Sequence, residues 1–295
     1  LGWAYEQPAR PAHAMHQVWG ASVIGQVHAG IAGGILGITP AATIGYSSGE
    51  LTALIAMGAW PDPTPITSQV SDTTVALSVA GTELDIVREV WKRSGIDETR
   101  WVSYLVEGPV SEVRKVVASE SSVHITVVNA PTSCVIGGGA RGCSRVVAAL
   151  SDMIVLPIEY DIPAHVPELG SNTEAWLETY RLATVNTGLR TYTCSTSTWF
   201  EPTTEDAAHA ATAQQLGPID FAATVEQAWQ DGGRIFVELG PRSLCSSWIG
   251  RTLGERDHLA VALDSPDGRD VHAVVSAAAT LVAAGVPADY RALND

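Results

Sequence analysis

Residues 45–49, Gly45-Tyr46-Ser47-Ser48-Gly49, set a serine between two glycines at the spacing G-x-S-x-G. Five such letters also make an ordinary turn, so the flanking segments decide the reading. The short apolar run 41–45 before Ser47 reads as a buried parallel strand. Residues 47–60 after it read as a helix, closed by Pro61, Pro63 and Pro65. A sharp strand-to-helix turn exposes the serine oxygen, and glycines on both sides let backbone pass close. The Ser48 N–H, at the helix start, can face a developing oxyanion, and the helix dipole favours negative charge there. A serine nucleophile needs a base. Of the eight histidines, His165 stands out, because Pro163 and Pro167 would hold its loop in place; a surface histidine is the plain alternative. His13 and His16 lack a nearby carboxylate motif and read as surface or capping residues. Cys134, Cys143, Cys194 and Cys245 form no C-x-x-C pair. They read as reduced, mostly buried thiols, and no metal site is expected.

The elements that must position these residues follow from periodicity. Residues 18–36 carry apolar positions at helical spacing and read as a buried helix ended by Gly37 and Pro40. Residues 66–100 read as helical with a polar face. A different rhythm then begins: strand 101–108, helix 109–119, strands through 122–130 and 133–138 around Pro131-Thr132, helix 140–150 and strand 152–160. That is β-α-β-β-α-β, the ferredoxin-like unit. It divides the chain into a small subdomain at 101–160 and a large one from 1–100 and 161–295. Segments 191–200 and 234–240 each read as a strand, and 220–233 as an amphipathic helix ending at glycine.

Bulk properties narrow the function classes. A length of 295 residues with 46% apolar content describes a globular chain with an ample core. The net charge of -15 disfavours binding to a phosphate backbone, so nucleic acid is not an expected partner. No apolar run reaches the roughly 18 residues of a membrane span, and residues 1–10 lack a signal-peptide pattern. The expected location is cytoplasmic.

The order of four stretches is similar to the acyltransferase domains of type I polyketide and fatty acid synthases, relatives of malonyl-CoA:acyl carrier protein transacylase. These are IGYSSGE (44–50), VVNAPTSCVIGG (127–138), DIPAHVPE (161–168) and PIDFAATVEQAWQDGGRIFVELGPRSL (218–244). The likeness covers about residues 18–265. Tyr46, the Met-Gly-Ala-Trp at 57–60 and the stretch 101–113 most resemble polyunsaturated fatty acid synthases. The resemblance implies an α/β-hydrolase-like large subdomain with an inserted ferredoxin-like small subdomain and a site between them. It implies Ser47 as the acylated serine, His165 as the base of a Ser-His dyad, and Ser48 as an oxyanion donor. It further implies Gln26, Tyr46 and Asn129 at the site, and Ile162, Pro163 and Ala164 as residues linked to acyl-group choice. No tightly bound cofactor is implied. The substrates would be coenzyme A or phosphopantetheine thioesters, and the partners acyl-CoA, acyl carrier protein and neighbouring synthase domains.

Three departures bear on the expected activity. Tyr46 replaces the family's usual histidine before the serine. A Phe-Pro-Gly-Gln-Gly segment, whose glutamine supplies a second oxyanion N–H in the family, has no counterpart before Gln17; either the chain is a fragment or another segment fills that role. Between Glu50 and Arg88 there is no Lys, Arg or His, so the carboxylate-holding arginine of malonyl-selective members is missing from that stretch. Arg190 and Arg242 are the cations that could approach from elsewhere. The expectation is acyl transfer through an acyl-serine, with a non-carboxylated acyl chain and the apolar helix 51–57 as a wall. Thioesterase-like release, malonyl transfer and a catalytically silent scaffold are the alternatives.

Overall fold

The computed structural model describes residues 14–64, 83–159, 162–265 and 270–289. Residues 66–82 of the segment read as helical therefore lie outside the described residues, as do His13 and the side chain of His16. In chain order the elements are helix α1 (Ala14–Gly30), a π-helical turn (Ile31–Ile35), strand β1 (Ala42–Ile44), α2 (Gly49–Ala56), α3 (Glu83–Arg93), β2 (Trp101–Glu107), α4 (Val110–Val117), β3 (Val123–Ala130), β4 (Ser133–Gly139), α5 (Ala140–Ala149) and β5 (Ile154–Pro157). A 3-10 turn (Pro167–Asn172) follows, then α6 (Thr173–Tyr180), β6 (Arg190–Thr193), β7 (Thr198–Phe200), α7 (Thr204–Leu216), β8 (Ile219–Asp220), α8 (Phe221–Gln230), β9 (Ile235–Glu238), α9 (Leu244–Leu253), β10 (Leu259–Ala262) and α10 (Asp270–Ala283).

The strands of 101–157 form one antiparallel sheet in the order β5-β2-β4-β3, with α4 and α5 on one face. Alternation along β2 sorts its residues. Val102, Tyr104 and Val106 point into the cluster of Val113, Val117, Cys143 and Val146 from the two helices, and Val155 of β5 joins them. Trp101, Ser103, Leu105 and Glu107 therefore occupy the opposite, inner face. β8, from far along the chain, adds to this sheet in parallel beside β3, pairing Val127 with Ile219. The sheet is thereby joined to the rest of the fold by backbone hydrogen bonds.

The remaining strands form a three-stranded sheet, β1-β6-β7, and a two-stranded one, β10-β9. β1 lies parallel to β6, with Ala42 opposite Arg190 and Ile44 opposite Tyr192, and β10 lies parallel to β9. Segment 191–200, expected as one strand, is a hairpin: β6 and β7 pair antiparallel around a turn whose Ser197 has φ 56°. The polar run Cys194-Ser195-Thr196-Ser197 supplies that turn. The helix at 18–36 is also less buried than its composition implies. Val23 and Val27 are exposed, while Gly25, His28 and Ala32 carry the packed stripe. A Cβ on Gly25 would sit 3.0 Å from Thr52 of α2, so the small residue sets how closely the two helices approach.

Candidate active site

Ser47 lies between β1 and α2 with φ 53°, a left-handed conformation that costs a non-glycine residue on the order of 1–3 kcal/mol. Local bonds hold it there: the Gly49 N–H donates to the Tyr46 carbonyl at 2.8 Å, and Glu50 N–H to the Ser47 carbonyl at 2.9 Å. Gly45 is required by close approach, since a Cβ there would fall 2.2 Å from the backbone of Glu50. Gly49 differs from expectation. A Cβ at that position meets nothing within 4 Å, so only the first glycine of the motif is demanded sterically.

His165 also has a left-handed backbone, φ 61°. Its Nε2 is 2.8 Å from Ser47 Oγ, across 118 residues of sequence. Its backbone N–H donates to the Gln215 carbonyl at 3.0 Å, and Nδ1 bonds the Gln214 carbonyl. Both carbonyls belong to the last turn of α7, where no intrahelical partner remains for them. Gly217 and Pro218 stop the helix there. A carbonyl can only accept, so Nδ1 carries the proton and Nε2 presents a lone pair to the serine hydroxyl. Burial lowers the His165 pKa, partly offset by the Gln214 carbonyl, so the ring is neutral near pH 7. The negative end of the α7 dipole favours the imidazolium once a proton arrives.

Ser48 is the N-cap of α2, and its N–H has no backbone partner among the described residues. That leaves one donor beside Ser47 at the positive end of a helix. Cys194, in the turn after β6, braces the elbow from behind. Its N–H donates to Glu50 Oε1 at 2.8 Å, and its thiol donates to the Gly45 carbonyl at 3.1 Å. Glu50 is 5% exposed, and burial pushes its pKa up to about 8 against the lowering effect of its Cys194 and Thr193 bonds. Burial pushes the thiols of Cys134 and Cys143 up to about 12 and holds Cys194 and Cys245 well above their ordinary value, which disfavours the thiolate in each.

Two polar bridges tie the inner face of the β2–β5 sheet to the two arms of this dyad. On the serine side, Tyr46 Oη donates to Asn129 Oδ1 at 2.8 Å, and Asn129 Nδ2 donates to Ser133 Oγ at 3.2 Å. Ser133 donates to Glu107 at 2.7 Å, and Arg251 of α9 closes the chain on Glu107 at 2.7 Å and on Thr132. On the histidine side, His124 Nε2 and Glu168 Oε1 are 2.7 Å apart.

No family model matches the chain. Among curated proteins it is 26% identical over 271 residues to one of the subunits of a polyunsaturated fatty acid synthase from Thraustochytrium sp., covering 86% of this chain and 13% of that protein. It is 27% identical over 269 residues to a mycocerosic acid synthase-like polyketide synthase of Mycobacterium tuberculosis, covering 87% of this chain and 12% of that one. The chain thus spans about an eighth of the length of these relatives. Among solved structures, the acyltransferase domain from the second module of the salinomycin polyketide synthase superposes with a TM-score of 0.72 at 19% identity, over 97% of this chain and 65% of that one. Malonyl-CoA:acyl carrier protein transacylase from Xanthomonas oryzae pv. oryzae superposes with a TM-score of 0.68 at 19% identity, over 92% and 84%. The chain has the acyltransferase-domain fold. The expected resemblance, and the α/β architecture with its ferredoxin-like part, agree with these neighbours.

Within the acyltransferase fold, the other expected site residues divide. Pro163 is buried, and Ile162 and Ala164 are half-buried directly before His165. Gln26, expected to line the site, has an exposed side chain whose amide donates to Ser22, one turn back on α1. Asn129 was expected to face the cleft. It is instead 0% exposed, with both ends of its amide used by Tyr46 and Ser133. Tyr46 packs its ring against Phe221 and Trp248, so it and Asn129 support the elbow. On helix 51–57, Leu54 is buried while Leu51, Ile55 and Met57 are half-buried. Leu51, Leu54 and Ile55 pack on Trp176, Tyr180 and Ala208 of α6 and α7. Arg190 lies opposite Ala42, at the strand edge away from Ser47, with its guanidinium 6.0 Å from the Trp199 ring. Arg242 is exposed in the turn after β9.

Sequence reading missed the carbonyls of Gln214 and Gln215, because backbone acceptors leave no trace in residue type. It also missed Glu50 and the Glu107–Arg251 pair. Glu50 did carry a signal, as the only charged residue in an otherwise apolar helix.

Proposed function

We propose that this chain is an acyltransferase domain that carries an acyl group from one thioester to another thiol through Ser47. The observation that carries the reading is the Ser47 Oγ to His165 Nε2 distance of 2.8 Å, with Nδ1 committed to the Gln214 carbonyl. In the first half-reaction His165 Nε2 takes the serine proton as Oγ bonds to the thioester carbonyl carbon. The Ser48 N–H faces the oxyanion, and the α7 carbonyls stabilise the imidazolium. Collapse breaks the C–S bond, the imidazolium returns its proton to the departing sulfur, and Ser47 keeps the acyl group. In the second half-reaction a phosphopantetheine thiol gives its proton to His165 and attacks the ester carbonyl; the C–O bond breaks, and the imidazolium returns the proton to Ser47 Oγ.

The substrates in this reading are coenzyme A and carrier-protein thioesters, with an acyl carrier protein and neighbouring synthase domains as partners in a cytoplasmic assembly. No tightly bound cofactor takes part. The small subdomain is residues 101–160, inserted in the large one. Oxyanion stabilisation rests on Ser48, substrate choice on Ile162, Pro163 and Ala164. The acyl group is non-carboxylated: no Lys, Arg or His lies between Glu50 and Arg88, and an unpaired carboxylate in the cleft would be costly. The test is to incubate the chain with an acyl-CoA and a phosphopantetheinylated carrier protein. Acyl groups on the carrier thiol, absent with Ser47→Ala, support the reading. Free acid in place of the acyl-carrier product would make the chain a thioesterase instead.

A further inference from the structure

The inner face of the sheet can be read row by row from its register. The first row, Gly139 and Trp101, is covered: Trp101 packs with Trp91, Val166 and Leu169 beside the His165 loop. The second row holds His124, Gly137 and Ser103, and the Ile158 N–H extends it by donating to the Ser103 carbonyl at 2.9 Å. Its His124 end is taken by Glu168, three residues past His165. The fourth row holds Ser133, Glu107 and Ile154, and its polar members are bound through Asn129 to Tyr46, the residue before Ser47. The third row runs Val135, Leu105, Leu156. Val135 packs into the cluster that contains Ile44 and Tyr46, whereas Leu156, on the edge strand, is 50% exposed.

One arm of the dyad thus grips the second row and the other arm grips the fourth. The row between them starts at the cluster on which Tyr46 also packs, is apolar throughout, and leads outward over about 10 Å, two strand spacings, to an open edge. We propose that Leu105 and Leu156, flanked at the edge by Ile154 and Ile158, form the wall along which the acyl chain of the thioester lies, and that they select an unbranched apolar chain of medium length. This rests on the acyl-transfer reading above. A carbonyl carbon held between Ser47 and His165 would direct its alkyl tail along this row. A carboxylated chain would find only leucine and isoleucine there.

The test uses the full chain carrying Ser47→Ala, so that binding is read without turnover. Calorimetric titration with acetyl-CoA and decanoyl-CoA should show decanoyl-CoA binding at least about 10-fold more tightly. Leu156→Gln, on an exposed edge where folding tolerates it, should shrink that preference by about 5-fold. Val271→Gln, at a site 76% exposed on α10, should leave the preference intact and serves as the control for adventitious apolar contact. Equal affinity for the two thioesters, or a preference indifferent to Leu156→Gln, overturns the wall. Failure of wild-type Ser47 to take an acyl group from either thioester would instead sink the acyl-transfer reading, and the binding measurement would still judge the wall.

Discussion

Ser47 and His165 share an unusual feature at the residue scale: both hold a left-handed backbone, φ 53° and 61°. That strain is retained where surrounding contacts over-determine it, as the Glu50 and Gln215 backbone bonds do here. His165→Ala should slow acylation of Ser47 by about 100-fold or more, measured by quenched-flow mass spectrometry, because no other base among the described residues is placed to take the proton. Burial lowers the His165 pKa from its ordinary value of 6.5. The base form must be neutral, so activity should rise with pH through an inflection below 6.5. An inflection above 6.5 would contradict the assigned burial. Tyr46→Phe leaves the Oδ1 of fully buried Asn129 without its donor. It should cost about 1–3 kcal/mol in urea unfolding, and Asn129→Ala in the same background should then cost less than it does alone. The serine and the histidine were legible in the sequence because each sits in a distinctive local setting. The burial of Asn129 was not, because residue type cannot tell a cleft from a sealed network.

At the element scale the site depends on how β1 passes into α2 and on where α7 ends. Gly45→Ala would drive a Cβ into the Glu50 backbone at 2.2 Å, which cannot move without unseating Ser47. Acylation should be lost or fall by at least about 100-fold, whereas Gly49→Ala should stay within a few-fold of wild type, since its Cβ meets open space. Comparable loss in both variants would show that the motif's second glycine has a role beyond sterics. The β-α-β-β-α-β unit was readable nearly strand for strand because alternation and turn residues mark it locally. The 194–197 turn was not, as its polar residues are also strand-compatible. The addition of β8 to the small sheet pairs Val127 with Ile219, far apart in the chain, and leaves no local signal.

At the scale of the whole molecule, Glu50 joins the elbow to the turn after β6, and it does so as a buried carboxyl with its pKa raised to about 8 from 4.5. Its raised pKa contributes stability that is fully present below pH 4.5 and is lost as pH rises through about 8. Unfolding free energy should fall across that window with a slope of up to about 1.4 kcal/mol per pH unit from this group. Glu50→Gln should flatten the slope in urea titrations spanning about pH 5 to 8.5. In the proposed reaction the dyad, the Ser48 N–H and the apolar row all serve one event, formation of an ester at Ser47. Parallel incubation with decanoyl-CoA and malonyl-CoA, followed by intact-mass and peptide mapping, tests that event directly. The expected result is a single added acyl mass on the peptide containing Ser47, appearing faster with decanoyl-CoA. No added mass, a label on Cys245 in place of Ser47, or faster labelling by malonyl-CoA would contradict it.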